Sequence, residues 1–487
     1  MVTKKRVAKR KIEMVPRDYF DDKVTLGTAR GTLRHLRYNR FTLVNLHVGY
    51  GKTLIAVLTA VGIAKMHGGE AQIGVIAPKA KRLDHSFGDA IKSAEKYFDV
   101  KLTPLLINGE ETGTFSGLSI VGSDPAKFRA LERAVIAKPT MFILDETHMT
   151  LRDSTNSASK VFVKLLNHVE KAGGYAKVVG LTATPFDKSI LDAIGYLVFN
   201  GNYNSRSEFY RKEVAGYAEA QRKGMTQKDI EALIIRRNFT INKQMFYDIH
   251  RIVNQLKGII YSPRAPKDFH IPENKIVEVP IQLTEERTNM LKHLRELDRD
   301  GAFPDPTTKR LSYIDAMTTD KNMVEALLKI VQHKNIKQPL VFYQFNTQRD
   351  VMTESLSNSA ITYVEVNGKS HSYFDATTTE IMPVIVQYGS GATAFEAKKS
   401  NCSVYFGLPD SSINFDQSLG RNARRGQQMD VIINYILVPL DKSGKPVQQF
   451  KVQWTRIKNK MIQNARFLEA FKTDWGTYEK PSTEKAS

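Results

Sequence analysis

The chain has little cysteine and no long apolar run. A single cysteine, Cys402, among 487 residues excludes an intramolecular disulfide and any thiolate metal cluster within the chain. A reducing cytoplasm suits such a protein, and Cys402, shortly before the apolar Val404 and Phe406, reads as a small buried residue. No stretch reaches the roughly 18–20 consecutive apolar residues that crossing a bilayer requires. The opening MVTKKRVAKRKIEMVPRDYF lacks the apolar core of a secretory signal, so the protein is expected to stay where it is made. Glycine (30) and proline (18) are too few for a collagen-like or mucin-like chain. With 41% hydrophobic and 25% charged residues, the composition is that of a globular protein, and the length calls for more than one core.

Acidic residues are also short. Lys and Arg number 71 against 51 Asp and Glu, a formal net charge of +20. Such an excess favours a polyanionic partner, because each neutralised phosphate releases a condensed counterion. Residues 1–11 alone carry Lys4, Lys5, Arg6, Lys9, Arg10 and Lys11, which reads, within residues 1–24, as a flexible basic arm.

From about residue 25, short β-branched runs alternate with helical stretches. TLVNL (42–46), IGVIA (73–77), MFILD (141–145) and VVGLT (178–182) each suit a strand buried on both faces of a parallel sheet. A second set follows: PLVFYQF (339–345), ITYVEV (361–366), PVIVQY (383–388), CSVYFGL (402–408) and VIINYIL (431–437). The pattern predicts two doubly wound α/β lobes in tandem, over 25–200 and 321–440. A mainly helical insertion and linker is expected over 201–320, with NKIVEVPIQLT (274–284) extended and EERTNMLKHLRELDRD a charged helix, and a closing helix with a polar tail is expected over 441–487.

Four motifs carry chemistry. HVGYGKT (47–53) follows a strand and opens a helix, where backbone N–H groups can converge on a phosphate. Gly49, Tyr50 and Gly51 form the loop, Lys52 brings a charge for the β/γ-phosphates, and Thr53 a hydroxyl for Mg²⁺. Leu46 stands where the strict phosphate-loop pattern has its first glycine. FILDETH (142–148) delivers Asp145 and Glu146 at a strand's C-terminal end; Asp145 suits Mg²⁺, and Glu146 is placed to deprotonate an attacking water. GLTATPF (180–186) ends the next strand with Thr182 and Thr184, which would couple the acidic pair, with His148, to whatever moves. In QSLGRNARRGQ (417–427), Gln417, Arg421 and Arg424 suit a γ-phosphate, with the two arginines expected on one helical turn.

In this order across two α/β units, the four motifs resemble those of superfamily two helicases. VFYQFNTQRDVMTESL (341–356), VNG (366–368) and CSVYFGLPDSSINFDQSLGRNARRGQ (402–427) are similar to the Swi/Snf-type branch of DNA translocases. TARGTLRHLRYNRF (28–41) lacks that family's adenine-reading glutamine, and YGSGATAFEA (388–397) keeps Gly389 and Gly391 of its motif V without the later Gly and Asn. The resemblance implies RecA-like lobes with ATP and Mg²⁺ held between them, hydrolysis coupled to lobe movement, and DNA as the partner. By position it implies nucleic-acid contacts near Ser86, Ser123, Asn346 and Ser390. An RNA helicase, or a catalytically silent loading factor on the same fold, is the alternative reading.

Overall fold

The computed structural model describes residues 14–46, 49–78, 85–149, 151, 157–186, 190–227, 229–230, 249–264, 270–367, 382–388, 397, 399–424 and 426–473. The chain divides into two compact units. The first comprises Met1–Leu46, Gly51–Pro266 and Ala470–Ser487; the second comprises His47–Tyr50 and Lys267–Glu469.

The strands of the first unit are β1 (Phe41–Asn45), β2 (Glu70–Ile76), β3 (Lys101–Pro104), β4 (Thr112–Gly113), β5 (Thr140–Asp145), β6 (Ala176–Thr182) and β7 (Ile260–Pro263). The second unit contributes β8 (Glu273–Gln282), β9 (Leu340–Tyr343), β10 (Val364–Val366), β11 (Val384–Gln387), β12 (Cys402–Tyr405) and β13 (Val431–Leu440). A last strand, β14 (Lys472–Thr473), returns to the first unit.

The first sheet runs in the order β14-β7-β1-β6-β5-β2-β3, with β4 also paired to β2; the second runs β10-β11-β9-β12-β13-β8. Every named strand pair is parallel. Both are therefore α/β sheets, and the expectation of two tandem RecA-like lobes holds. β1 and β5 are buried at every residue, as strands covered by helices on both faces must be.

The helices follow from the same accounting. Lys52–Met66 buries nine of its fifteen residues, Ile55 to Leu58 among them, and so is apolar nearly all round. It stops where Gly68 (φ +78°) and Gly69 (φ +92°) take left-handed conformations. Ser157–Lys171 is amphipathic instead. Phe162, Leu165, Leu166 and Val169 face the core, with Phe162 edge-on to Phe142 of β5 at 4.6 Å.

The structure distributes three stretches differently from expectation. The basic arm was expected to extend to residue 24. Instead, Arg17–Asp21 is helical, and Phe20 is fully buried, edge-on to Tyr97 and Phe98. Residues 1–13 lie outside the described residues. The expected helical insertion over 201–320 does hold short helices, Arg206–Glu213 and Tyr217–Arg222 among them, and the run expected to be extended at 274–284 is β8, but the stretch also supplies an unexpected strand, β7, to the first sheet. β7 pairs with β1, and β8 pairs with β13 over ten residues, so the unit boundary falls after Pro266. The closing helix, Gln448–Glu469, belongs to the second unit, whereas β14 pairs with β7 in the first. Isolated short strands such as β7 and β14 carry no periodicity of their own. Their pairing is decided by open sheet edges.

Candidate nucleotide and nucleic-acid site

The phosphate loop leaves the C-terminal end of β1, the edge of an open parallel sheet where ligands bind. Gly49 (φ +93°) and Gly51 (φ +74°) hold left-handed backbone, which a side chain would strain. Gly51 is also the N-cap of the Lys52–Met66 helix, with no side-chain cap, leaving first-turn N–H groups for an anion. The space that a Cβ on Gly51 would fill is open. Lys52 Nζ donates to the Leu46 carbonyl at 3.0 Å, which folds the ammonium back over the loop. Tyr50 and Thr53 are half-buried, and burial raises the Tyr50 phenol above its ordinary value.

Two strands along, β5 ends in Asp145, which is 5% exposed. Its Oδ1 accepts the N–H of Glu146 at 3.1 Å. Glu146 itself has φ +48°, a conformation that non-glycine residues rarely adopt and that clusters at functional sites. The turn after it, Thr147–Met149, is pinned by Thr147, whose hydroxyl donates to the Leu144 carbonyl at 2.8 Å.

That turn brings the expected coupling residues together. His148 Nδ1 lies 2.9 Å from Thr182 Oγ1 and 3.4 Å from Glu146 Oε2. Thr182 Oγ1 also accepts the N–H of Thr184 at 3.1 Å, so a polar chain runs from Glu146 through His148 to the TATP strand end. His148, Thr182 and Thr184 are all buried.

Among the described residues no three His, Cys, Asp or Glu side chains cluster as a metal site. The donor set still fits Mg²⁺, which keeps several waters and takes one or two protein oxygens besides the phosphates.

In the second unit, Gln417 lies on the Ser412–Leu419 helix and is 3% exposed. The helix ends there, with Gly420 as C-cap, so Arg421 and Arg424 sit in the following turn and not on one helical turn as expected. Arg421 is 3% exposed, and Arg424 Nε donates to the Gly420 carbonyl at 2.8 Å. Two residues that the sequence reading passed over shape this turn. Asn422 Nδ2 donates to Ser400 Oγ (3.2 Å) and Ser403 Oγ (3.1 Å), and Gln427 Nε2 donates to the Ser400 carbonyl (3.0 Å). The signal was present in the chain as Gly420, Asn422 and Gly426, a cluster of helix-stop residues.

The positional nucleic-acid candidates are less telling. Ser86 opens the Ser86–Phe98 helix, and Asn346, exposed, opens Asn346–Asn358. Ser123, also exposed, closes Phe115–Ser123 and donates to the Ile120 carbonyl at 2.9 Å. Ser390, Gly389 and Gly391 lie outside the described residues.

Residues 30–193 match the family profile described as DEAD/DEAH box helicase. The matched span, about a third of the chain, holds the phosphate loop, the acidic pair and the TATP strand end. It supports a helicase-superfamily domain, with ATP use and nucleic-acid dependence. No curated protein matches the chain at a significant level. No helix among the described residues is long and apolar enough to cross a membrane.

Proposed function

We propose that this protein is a nucleic-acid-dependent ATPase that moves along DNA, drawing on hydrolysis at the loop after β1. The observation that carries the reading is the unbroken polar chain Glu146–His148–Thr182–Thr184 beside a glycine-lined phosphate loop. It joins the group that would activate water to the segment that would move.

In this reading the first-turn N–H groups and Lys52 bind the β- and γ-phosphates. Lys52 exchanges its bond to the Leu46 carbonyl for a phosphate oxygen. Asp145 and Thr53 hold Mg²⁺, whose chemistry is to neutralise charge developing on the transferred phosphoryl oxygens. Glu146 accepts the proton of the attacking water, and His148, seated by its 2.9 Å bond to Thr182, stands 3.4 Å from that carboxylate. Gln417, Arg421 and Arg424 are proposed to serve the same nucleotide from the second unit. There a guanidinium stabilises charge on the equatorial oxygens, an effect typically of about a thousandfold or more in rate.

DNA is preferred over RNA on the Swi/Snf-like motif set. Steady-state ATPase rates with single-stranded DNA, duplex DNA, forked DNA and RNA, each at two salt concentrations, test the reading. Stimulation by DNA above RNA is the expected result. Equal or greater stimulation by RNA would overturn the DNA assignment, and no stimulation by any of them would overturn the motor.

A further inference from the structure

A cleft of about 540 Å³ lies on the first unit between the Ser157–Lys171 helix and the start of the Arg206–Glu213 helix. Lys160, Lys164, Lys171 and Arg206 line it, and no described lining residue is acidic. The helical repeat places Lys164 and Lys171 about 40° and 20° around the axis from Lys160, so the three lysines form one row about 16 Å long. All three are exposed. Of the carboxylates near the cleft, Glu132 bonds His168 at 2.8 Å, and Glu208 takes Lys212 at 2.7 Å and the Asn204 N–H at 2.6 Å, while Glu170, beside Lys171 and largely exposed, meets Arg40 at 3.5 Å. The Lys164 ammonium itself stands over the Phe128 ring at 4.7 Å, a cation–π contact.

The cleft is not part of the nucleotide site. Arg40, the residue before β1, donates to Asn167 of the cleft wall at 2.6 Å and to the Phe199 carbonyl at 2.7 Å. The cleft therefore neighbours the N-terminal end of β1, while the phosphate loop follows its C-terminal end, roughly 17 Å away along the strand.

We propose that this cleft binds the phosphates of a nucleic-acid backbone as a second contact, separate from the motor's catalytic site. The shared chemistry is phosphate recognition by a row of cations. A polymer is favoured because a single small anion would reach only part of a 16 Å row, whereas successive phosphates along a strand engage all of it. The identity of the polymer rests on the nucleic-acid reading given above.

The test is the double charge reversal Lys160→Glu/Lys171→Glu. Its control, Lys329→Glu/Lys334→Glu, reverses two exposed lysines of the second unit and changes net charge equally. Binding of fluorescent single-stranded and duplex oligonucleotides is measured across a salt series without nucleotide, alongside tripolyphosphate titration and ATPase without nucleic acid. The expected result is weaker oligonucleotide binding and a salt slope shallower by about 2 for duplex in the cleft variant, beyond any change in the control. ATPase without nucleic acid stays unchanged. Matching slopes in the two variants, with wild type binding normally, would overturn the cleft and leave the motor standing. Loss of tripolyphosphate binding with intact oligonucleotide binding would make this a small-anion site and overturn the polymer. Absence of oligonucleotide binding by wild type would remove the motor reading and the cleft together.

Discussion

Glu146, the residue proposed to activate water, is held in a costly backbone conformation. At φ +48°, an L-residue carries about 1–2 kcal/mol of strain that glycine does not. Glu146→Gly should therefore be at least as stable as Glu146→Ala in urea unfolding, reversing the usual order in which glycine is the weaker by about 0.5–1 kcal/mol. Both should lack ATPase activity. Glu146→Gln and Lys52→Ala should likewise abolish turnover while nucleic-acid binding is retained; full ATPase activity in either would refute its assigned role. Thr182→Val removes the oxygen that accepts the Thr184 N–H and meets His148. Its expected signature is stability lower by about 1–3 kcal/mol for the buried group left unpaired, together with loss of nucleic-acid stimulation relative to basal turnover. The strand-end positions of these proposed site residues were legible because phosphate and water chemistry calls for particular side chains at particular strand ends. For Arg421 and Arg424 only the helix stop was legible, in Gly420, Asn422 and Gly426; the buried bonds from Asn422 and Gln427 that seat the turn leave no pattern in the chain.

At the scale of elements, the Lys23–Tyr38 helix makes the same point about packing. A Cβ on Gly31 would come within 2.1 Å of Tyr261 Oη on β7, so the helix seats there only because position 31 has no side chain. Gly31→Ala should destabilise by about 1–3 kcal/mol despite alanine's better helix propensity, a difference that thermal melts of the two proteins would read. His35, on the same helix, is buried against the Tyr261 ring at 4.9 Å, with Nδ1 3.1 Å from the Gly258 carbonyl. Burial lowers its pKa from 6.5 to about 4. Between those values the unfolded chain takes up a proton that the folded one refuses, so stability rises with pH from about 4 to 6.5 and is level above. The span corresponds to about 3 kcal/mol. Replacing His35 with Phe should flatten that part of the stability–pH curve, measured by urea unfolding at several pH values. Strands such as β5 were readable because a fully buried parallel strand is a continuous apolar run. The five-residue helix around Phe20 was not, because the lysines and arginines before it dominate the local composition while one aromatic ring decides its place.

At the scale of the whole molecule, the two-lobe plan was written in the alternation of strand and helix patterns, but the assignment of segments to lobes was not. Contiguity in sequence is the natural first assumption, and this chain breaks it: the first unit is left near Pro266 and rejoined at Ala470. Among the described residues, the returning segment pairs through a two-residue strand and buries Phe471, 1% exposed and 6.1 Å from the ring of Phe186 beside the TATP strand end. Phe471→Ala should lower stability by about 3 kcal/mol or more in thermal or urea unfolding. The same arrangement bears on biosynthesis. During translation β7 emerges with one edge unoccupied, and its neighbour on that side is encoded some 200 residues later. At about 5–20 residues per second the ribosome needs roughly 10–40 s to supply it, so the nascent amino-terminal half spends that interval with a bare β edge open to chaperones or to stray strands.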